Sequence, residues 1–349
     1  MDRPDLPDHF EWFADWCVGT SPLYERLARG VADDSDLLDL AAAVPDGRSP
    51  AHLLLAAVHD RLLAGRDHRL AGYYPTVADD PRDPSEGDPF SAFRAFCLSH
   101  APEMRDIVTE RRTQTNSVRR CAGLLPAFET VSRRASRGRD GREPLALVEI
   151  GPSAGLNLLW DRYGYDYGAA GRCGDPDSPV CVESAVRAGD PPLPDSMPPI
   201  ASRVGVDLHP LDVTDPADAW WLHALVWPEH DERHRLLDGA VELAREDPPD
   251  LRAGDALDRL PEVVAELPAD RPVCLFDTQV RYQLDEDERE RLDALVAELA
   301  ADRDCYWVSG HGAAEEYEQA IELTLRSGAD GRRERLGVYQ QHGEWIAWD

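Results

Sequence analysis

The segment LALVEIGPSAGLN, Leu145 to Asn157, is the feature that most constrains the fold of this chain. Its apolar run ends in an acid, Glu149, and then turns through Gly151 and Gly155 into a predicted helix. Strands of a parallel sheet are continuously apolar because helices cover both of their faces. Glycine lets the backbone turn tightly and approach a ligand where a side chain would collide. The segment therefore predicts a buried strand, a glycine loop and a helix N-terminus, which form a cradle for a nucleotide-like ligand.

The chain of 349 residues is strongly acidic, with a formal net charge of −30 and no lysine. Such a field repels phosphate backbones and anionic lipids, which argues against nucleic-acid and membrane partners. A hydrophobic content of 42%, with clear strand and helix patterns, argues against a disordered acidic chain. The composition resembles that of proteins from salt-accumulating halophiles. We therefore expect a halophilic protein whose charge is unrelated to its reaction.

Targeting segments and cysteine pairs are not evident in the sequence. The start, MDRPDLPDHF, lacks the basic and apolar regions of a signal peptide, and no apolar run approaches the ~18 residues of a membrane span. The seven cysteines are scattered without a C-x-x-C pair, so most are expected to be reduced core residues. Cys173 and Cys181 are close enough in sequence to share a hairpin, although the spacing does not favour a metal site or a disulfide there. We expect a cytoplasmic protein.

The length indicates about two domains, and residues 1–140 are predicted to be a helical cap domain. Ser49 and Pro50 precede AHLLLAAVHDRLLAG, which fits an N-cap, a proline in the first turn and an amphipathic helix that stops at Gly65. The helical pattern resumes at PFSAFRAFCLSH and again from Pro102 to Ala135.

Residues 141–349 are predicted to form an α/β domain, joined to the first by a basic linker from Ser132 to Glu143. Strand and helix patterns alternate there, which favours a doubly wound parallel sheet. LGVYQ and EWIAW, near the end, predict a terminal antiparallel hairpin, and residues 161–202 are predicted to be an inserted flap. The predicted strands are Leu145–Ile150, Arg203–Leu208, Leu251–Asp255, Val273–Asp277 and Cys305–Ser309, and the predicted helices are Ala217–Ala244, Ala256–Glu266, Asp285–Ala301 and Ala313–Ser327.

The order of acid and glycines indicates which nucleotide suits the loop. Glu149 lies two residues before Gly151, and three residues separate Gly151 from Gly155, unlike the G-x-G-x-x-G of dinucleotide folds. This pattern resembles motif I of the class I S-adenosylmethionine-dependent methyltransferases. Parallel β/α units closed by an antiparallel pair are likewise similar to the Rossmann-like methyltransferase sheet. The resemblance implies an α/β fold with a mostly parallel sheet, and S-adenosylmethionine as cofactor.

Ligands of open parallel sheets bind beyond the carboxyl ends of the strands, where this chain places four acids. By the resemblance, Glu149 faces the methionine ammonium, Asp207 the ribose hydroxyls and Asp255 the adenine amino group. Asp277 would mark the loop nearest the sulfonium. Alternatively, such aspartates simply cap the helices that follow the strands. The cofactor-binding residues that the resemblance implies are Glu149, Gly151, Pro152, Ser153, Gly155, Asn157, Asp207 and Asp255.

Nearly the whole chain also resembles an uncharacterised prokaryotic family of unknown function. The matching segments are RRTQTNSVRRCAGLLP, EIGPSAGLNLLWDRYGYDYG, RVGVDLHPLDV and WWLHALVWPE. That family looks methyltransferase-like and brings no established substrate, so the resemblance sharpens the fold and leaves the chemistry open.

Candidates for the acceptor side are fewer. Gln114 and Asn116, in RRTQTNSVRR, offer directional hydrogen bonds to a substrate, although a helix cap explains them equally well. Asp277 and His311 are the candidate catalytic bases, and for His311 a helix cap is the alternative. The sequence DTQV at Asp277 is not the D-P-P-aromatic motif of amino-methylating enzymes, so it does not support a base or amide nitrogen as acceptor.

His230 and His234 are spaced i, i+4 on a predicted helix without a third ligand, so a charged helix face is favoured and no metal is predicted. Taken together, the patterns predict an S-adenosylmethionine-binding methyltransferase with a small-molecule substrate held between the helical domain and the sheet. A non-catalytic binding or scaffold protein of the same fold is the main alternative. A nicotinamide-dependent oxidoreductase is a further alternative, which the glycine order disfavours.

Overall fold

The structure of the chain is a computed structural model, which describes residues 6–138, 141–314, 317, 319–328 and 332–349, without the side chain of residue 313. Within these residues the chain forms two compact units. The first contains the chain up to Thr115 together with Thr214–His234, and the second contains Asn116–Val213 and Arg235–Asp349. Parts of three predicted segments fall outside the described residues, namely residues 1–5 of the N-terminus, 139–140 of the linker, and 315, 316 and 318 of the last predicted helix.

The helices confirm an N-terminal helical region. Helix α2 is an example of how the sequence determines these helices. Ser21 caps its first turn, and the buried residues Leu23, Leu27 and Val31 recur at helical spacing. In chain order the helices are α1 (Leu6–Cys17), α2 (Pro22–Ala32), α3 (Ser35–Ala41), α4 (Pro50–Leu63), α5 (Pro89–Ser99), α6 (Ala101–Glu110), α7 (Cys121–Ala135), α8 (Pro216–Ala224), α9 (Asp231–Glu246), α10 (Ala256–Glu266) and α11 (Glu286–Asp302). None of the described helices is long and apolar enough to cross a lipid bilayer.

The strands of the second unit form a large, mostly parallel sheet and a small one. In chain order they are β1 (Leu145–Ile150), β2 (Gly164–Asp166), β3 (Arg172–Gly174), β4 (Cys181–Glu183), β5 (Ala185–Ala188), β6 (Ile200–Asp207), β7 (Asp250–Ala253), β8 (Val273–Thr278), β9 (Cys305–Ala313), β10 (Ala320–Ser327), β11 (Arg332–Gln340) and β12 (Trp345–Trp348). The described strands of the large sheet follow the order β5-β12-β11-β10-β9-β8-β1-β6-β7.

Strand β1 lies inside the parallel part of the large sheet, between β6 and β8. Strands β7 and β9 extend this parallel part on either side. One face of it packs on α10 and α11 through a core that includes Val148, Leu260 and Val296. The carboxyl ends of five parallel strands therefore meet at one edge, where ligands of open α/β sheets bind.

The predicted terminal hairpin is confirmed, since β11 and β12 pair antiparallel. The predicted helix over Ala313–Ser327 is wrong for its described second half, because Ala320–Ser327 is strand β10. Leu323, Thr324 and Leu325 of β10 are all buried, and β9 and β11 pair with the strand on both sides. The sheet thus closes with a run of antiparallel strands.

Two other predicted helices are interrupted. Ala217–Ala244 divides into α8 and α9, with Pro228 in the connection, because proline offers no N–H for the helix ladder. Pro102–Ala135 divides into α6 and α7, joined by residues 111–117 in irregular conformation and a 3-10 turn at Val118–Arg120.

The two compact units divide the chain after Thr115, whereas the sequence predicts a domain boundary at residue 140. The difference comes from α7, which packs against the large sheet. Phe128 of α7 lies with its ring centroid 4.6 Å from that of Trp160 and 5.1 Å from that of Phe276. Helix α7 is therefore a covering layer of the α/β unit.

Residues 161–202, the predicted flap, contain the small sheet and β5. The small sheet has the order β3-β2-β4, so β2 separates Cys173 on β3 from Cys181 on β4. Strands one apart in a sheet are about 10 Å from each other, which exceeds the Cα separation that a disulfide spans. Both cysteines are free thiols.

Candidate functional site

The glycine loop after β1 has the tight turns that its sequence predicts. Gly151 and Gly155 have φ angles of 69° and 72°, in the left-handed region that glycine adopts without strain. Ser153 between them has φ 55°, which is unusual for a residue with a side chain. The loop continues into a 3-10 helix, Leu156–Arg162, and not into the predicted α-helix.

Side chains at Gly151 and Gly155 would collide with their neighbours. A Cβ atom on Gly151 would lie 2.5 Å from Cγ2 of Val280, and one on Gly155 would lie 2.7 Å from Cγ of Pro249. Pro152 and Ser153 are buried, whereas Gly151 is partly exposed. Access to the loop backbone is therefore through Gly151.

Asp207, at the end of β6, holds the loop in place. Its Oδ2 accepts a hydrogen bond of 2.9 Å from the backbone N–H of Ser153, and its Oδ1 accepts one of 2.8 Å from that of His209. An ionised carboxylate can accept about four hydrogen bonds, so the two oxygens keep acceptor positions for a ligand.

Glu149 is the least satisfied polar group of the loop region. Its side chain is 1% exposed, Oε1 accepts a hydrogen bond of 3.4 Å from Nδ2 of Asn157, and Oε2 has no partner among the described residues. The pKa of Glu149 is raised to about 8, mainly by burial and also by the charges of Asp207 and Asp277, while the hydrogen bond from Asn157 and the charge of Arg120 oppose the shift. Glu149 is thus mostly protonated at neutral pH, and a cation beside it would favour the charged form.

Asn157 positions Glu149 from within the fold. Its side-chain oxygen accepts a hydrogen bond of 3.4 Å from Sγ of Cys121 while its nitrogen donates to Glu149. Each end of the amide has a protein partner, so Asn157 orients the carboxyl group of Glu149, and its role toward a cofactor stays a prediction.

Asp277 lies at the same edge of the sheet but on the opposite face from Glu149. In the parallel ladder Asp277 is the partner of Ile150, whereas Glu149 is the partner of Phe276. Asp277 is fully buried, and its Oδ2 accepts a hydrogen bond of 2.8 Å from Nε1 of Trp307. Burial raises the pKa of Asp277 to about 6, against the lowering influence of Ser309, Trp307 and Arg281.

His311 follows on β9 with both ring nitrogens in contact. Nδ1 lies 3.1 Å from Oγ of Ser309, and Nε2 lies 2.8 Å from Nη2 of Arg333. The arginine can only donate, so Nε2 is the acceptor and Nδ1 carries the proton. Burial and the charge of Arg333 lower the pKa of His311 to about 4, so the ring is neutral and its lone pair is occupied.

A profile of one protein family matches residues 7–348 and therefore almost the entire chain. Its members are described as uncharacterized proteins conserved in bacteria. The chain belongs to the DUF2332 family. No curated protein and no solved structure matches it. The family match confirms the expected relationship to an uncharacterised family and adds no activity to it.

The remaining predicted site residues of this DUF2332 protein have structural partners. Asp255 is exposed and caps α10, where its Oδ1 accepts a hydrogen bond of 2.9 Å from Leu257 N–H. Asn116 accepts a hydrogen bond of 3.1 Å from Leu156 N–H, so it anchors the end of the glycine loop. Gln114 belongs to the first compact unit and Asn116 to the second, and their roles toward a substrate stay predictions.

Two residues of the site were not singled out from the sequence. Arg120, just before α7, is 8% exposed, and Tyr339, on β11, is fully buried with a hydroxyl that lacks a partner among the described residues. Each affects the pKa of the other, and Arg120 also affects that of Glu149. Arg120 ends the polar segment RRTQTNSVRR, which was the available signal, whereas nothing in LGVYQ marks Tyr339.

His230 and His234 lie in the first unit and pack on Trp227. The centroid of His230 is 5.2 Å from that of Trp227, and Nε2 of His234 lies 3.2 Å from the Trp227 carbonyl oxygen. Across the described ranges, no group of three histidine, cysteine or acidic side chains is placed to hold a metal ion. The pair therefore belongs to an aromatic cluster.

Proposed function

We propose that this DUF2332 protein binds S-adenosylmethionine at the carboxyl ends of β1 and β6 and is a methyltransferase acting on a small molecule in the cytoplasm. The observation that carries the proposal is Glu149, whose buried Oε2 has no partner among the described residues and lies beside the glycine loop. A buried, unsatisfied carboxyl group is costly and is a natural partner for a cationic ligand.

The described residues fit such a ligand in part. S-adenosylmethionine carries an ammonium and a sulfonium, and carboxylates suit both. Glu149 would hold the ammonium, and Asp207 would hold the ribose hydroxyls with the acceptor positions that Ser153 and His209 leave open. Asp255 would meet the adenine with Oδ2, since Oδ1 caps α10.

The five parallel strands of the large sheet support the proposal. The order β7-β6-β1-β8-β9 places β1 at the centre, with the glycine loop at the carboxyl edge. A Rossmann-like methyltransferase sheet is therefore the form of α/β fold that we propose. The antiparallel run β9-β10-β11-β12 departs from the single closing pair that the sequence predicts.

The cofactor, when bound, supplies a methyl group for transfer to a nucleophile. The protein has to hold donor and acceptor in near-attack geometry, because proximity and orientation supply most of what such a displacement needs. Glu149 would do this by ionising against the ammonium and fixing that end of the cofactor. Asp277 and His311 are the candidate bases for an acceptor that starts protonated.

A non-catalytic binding protein is the second candidate, and the placement of the two bases favours it. Asp277 is buried with its Oδ2 on Trp307, and the lone pair of His311 is taken by Arg333. His311 therefore has no free basic nitrogen. Oδ1 of Asp277 has no partner among the described residues, but this carboxyl group is fully buried and lies on the opposite face of the sheet from Glu149. Binding without methyl transfer to any member of a small-metabolite panel would support this candidate.

Isothermal titration calorimetry in molar potassium chloride tests the proposal. S-adenosylmethionine and its demethylated product, S-adenosylhomocysteine, should both bind, and NAD should not. Absence of binding by the first two ligands refutes the proposed function. Binding of NAD alone would favour the oxidoreductase alternative.

A further inference from the structure

Arg120 is a buried cation whose hydrogen-bonding capacity is mostly unused. Its Nε donates to the carbonyl oxygen of Gln341 at 3.1 Å, and its two Nη atoms donate to no acceptor among the described residues. The side chain is 8% exposed, and burial lowers the pKa of its guanidinium. A guanidinium has five N–H donors in a planar fork, which matches a carboxylate in two parallel hydrogen bonds.

Glu149 is a buried acid in the same compact unit, yet it does not meet Arg120. Cys121, the residue after Arg120, is joined to Glu149 by hydrogen bonds through Asn157, but no ion pair within 4.0 Å joins Arg120 to Glu149 in the described part of the chain. A guanidinium edge and a carboxyl oxygen that both lack protein partners among the described residues suit a ligand that carries both charges.

Tyr339 adds a third unused group on the same face of the sheet. Its hydroxyl has no partner among the described residues, and its ring packs against α7, where a Cβ on Gly123 would lie 2.8 Å from Cγ of Tyr339. Arg120 donates a hydrogen bond to the carbonyl oxygen of Gln341, two residues along the chain from Tyr339. Burial raises the pKa of the Tyr339 hydroxyl, and the charge of Arg120 lowers it. A phenolic O–H near the guanidinium is a further donor for an anionic oxygen.

We infer that Arg120, Tyr339 and Glu149 form a subsite for an α-amino-acid group, in which Arg120 and Tyr339 hold the carboxylate and Glu149 holds the ammonium. The inference rests on the proposed function, because the amino-acid group would be the methionine end of S-adenosylmethionine. The subsite adds to the proposed site a positively charged residue, Arg120, that recognises the carboxylate of the ligand. A nucleoside without this group would lose these contacts.

A matched pair of ligands tests the subsite on the unchanged protein. S-adenosylmethionine and its decarboxylated analogue share the nucleoside, the sulfonium and the amine, and differ in the carboxylate alone. Charge-assisted hydrogen bonds predict that the analogue binds at least about tenfold more weakly in calorimetry. Equal affinities would overturn the subsite while leaving the proposed function standing. Absence of binding by both ligands would refute the function itself and the subsite with it.

Substitution of Arg120 tests whether its guanidinium makes the contact with the carboxylate of the ligand. Arg120→Met should weaken S-adenosylmethionine binding by at least about tenfold and leave the affinity of the decarboxylated analogue within about twofold, because only the former uses the guanidinium. Arg119→Met is the control, since the charges that act on Arg119 come from Glu344, Glu183 and Arg235. An equal loss for both ligands would show that Arg120 only supports the fold, as would a loss in the Arg119 variant of the same size. If Arg120→Met does not fold, the ligand pair decides.

Discussion

Glu149 is a carboxyl group that the fold buries in surroundings unfavourable to its charged form. Burial among β1, the 3-10 helix and α7 raises its pKa from an ordinary 4.5 to about 8. The raised pKa means that the folded state binds the proton more tightly than the unfolded chain does. Glu149 therefore makes its full contribution to stability below pH 4.5, and that contribution is lost as the pH rises toward 8.

Glu149→Gln should stabilise the protein at neutral pH. Glutamine imitates the protonated carboxyl group, and 2.5 pH units above the ordinary pKa correspond to about 3 kcal/mol at 1.36 kcal/mol per unit. Urea unfolding of both proteins should show this difference at pH 7 and almost none at pH 4. A variant that is less stable than the parent at pH 7 would show that Glu149 is charged and paired in the folded state.

The sequence predicts the site residues that lie next to a motif. It does not predict the residues that only the fold places near that motif. Glu149 and Asp207 follow from their strands, because a strand end fixes where a side chain lies. The link of Arg120 and Tyr339 to Glu149 could not be predicted, since the chain places them about 30 and 190 residues from Glu149 and no local period connects them. The opposite faces of Asp277 and Glu149 follow from the register of β1 and β8, which the sequence alone does not set.

The glycine loop is the element on which ligand access depends. Gly151 and Gly168 both have left-handed φ angles, 69° and 60°, but a Cβ on Gly168 would meet nothing within 4 Å. A substitution to alanine would therefore strain the backbone at both positions. Only at Gly151 would it also bring the new methyl group against Val280.

Gly151→Ala should abolish S-adenosylmethionine binding, because the new methyl group would lie 2.5 Å from Cγ2 of Val280 and would force the loop or Val280 to move. Gly168→Ala should keep the affinity of the parent while losing about 1 kcal/mol of stability from the strained φ. Calorimetry and thermal unfolding of the two variants provide the comparison. Unaltered affinity in the Gly151 variant would place the ligand elsewhere.

Helices and strands whose apolar residues follow one clear periodicity could be predicted from the sequence. Elements whose conformation depends on pairing with neighbouring strands could not. Strand β1 and helix α10 have the predicted bounds, Leu145–Ile150 and Ala256–Glu266, because a short apolar run and an amphipathic run each have one interpretation. Strand β10 was mistaken for a helix, since AIELTLRS contains good helix formers. Its pairing with β9 and β11 overrides that local preference.

The whole molecule carries a net charge of −30, and self-repulsion opposes its compact state. Salt screens this repulsion, with a Debye length of about 10 Å at 0.1 M and about 3 Å at 1 M. Acidic side chains also lose their charge near the isoelectric point, so the effect of salt should depend on pH.

Raising potassium chloride from about 0.1 M to about 1 M should therefore raise the Tm at pH 7.5, because repulsion between carboxylates weakens. The same change near the isoelectric point should alter the Tm much less. Calorimetric scans at the two pH values make the measurement. A Tm at pH 7.5 that does not change with salt would contradict the expectation of a halophilic protein.

The central claim, that the loop and Glu149 receive the cationic end of S-adenosylmethionine, has a direct test in the pH dependence of binding. The ligand ammonium requires ionised Glu149, whose pKa in the free protein is about 8. Calorimetric affinity should therefore rise about tenfold from pH 6 to pH 7, level off near pH 8, and stay constant over this range in Glu149→Gln. Affinity that is the same in the parent protein at pH 6 and pH 8, or no binding at either pH, would contradict the account.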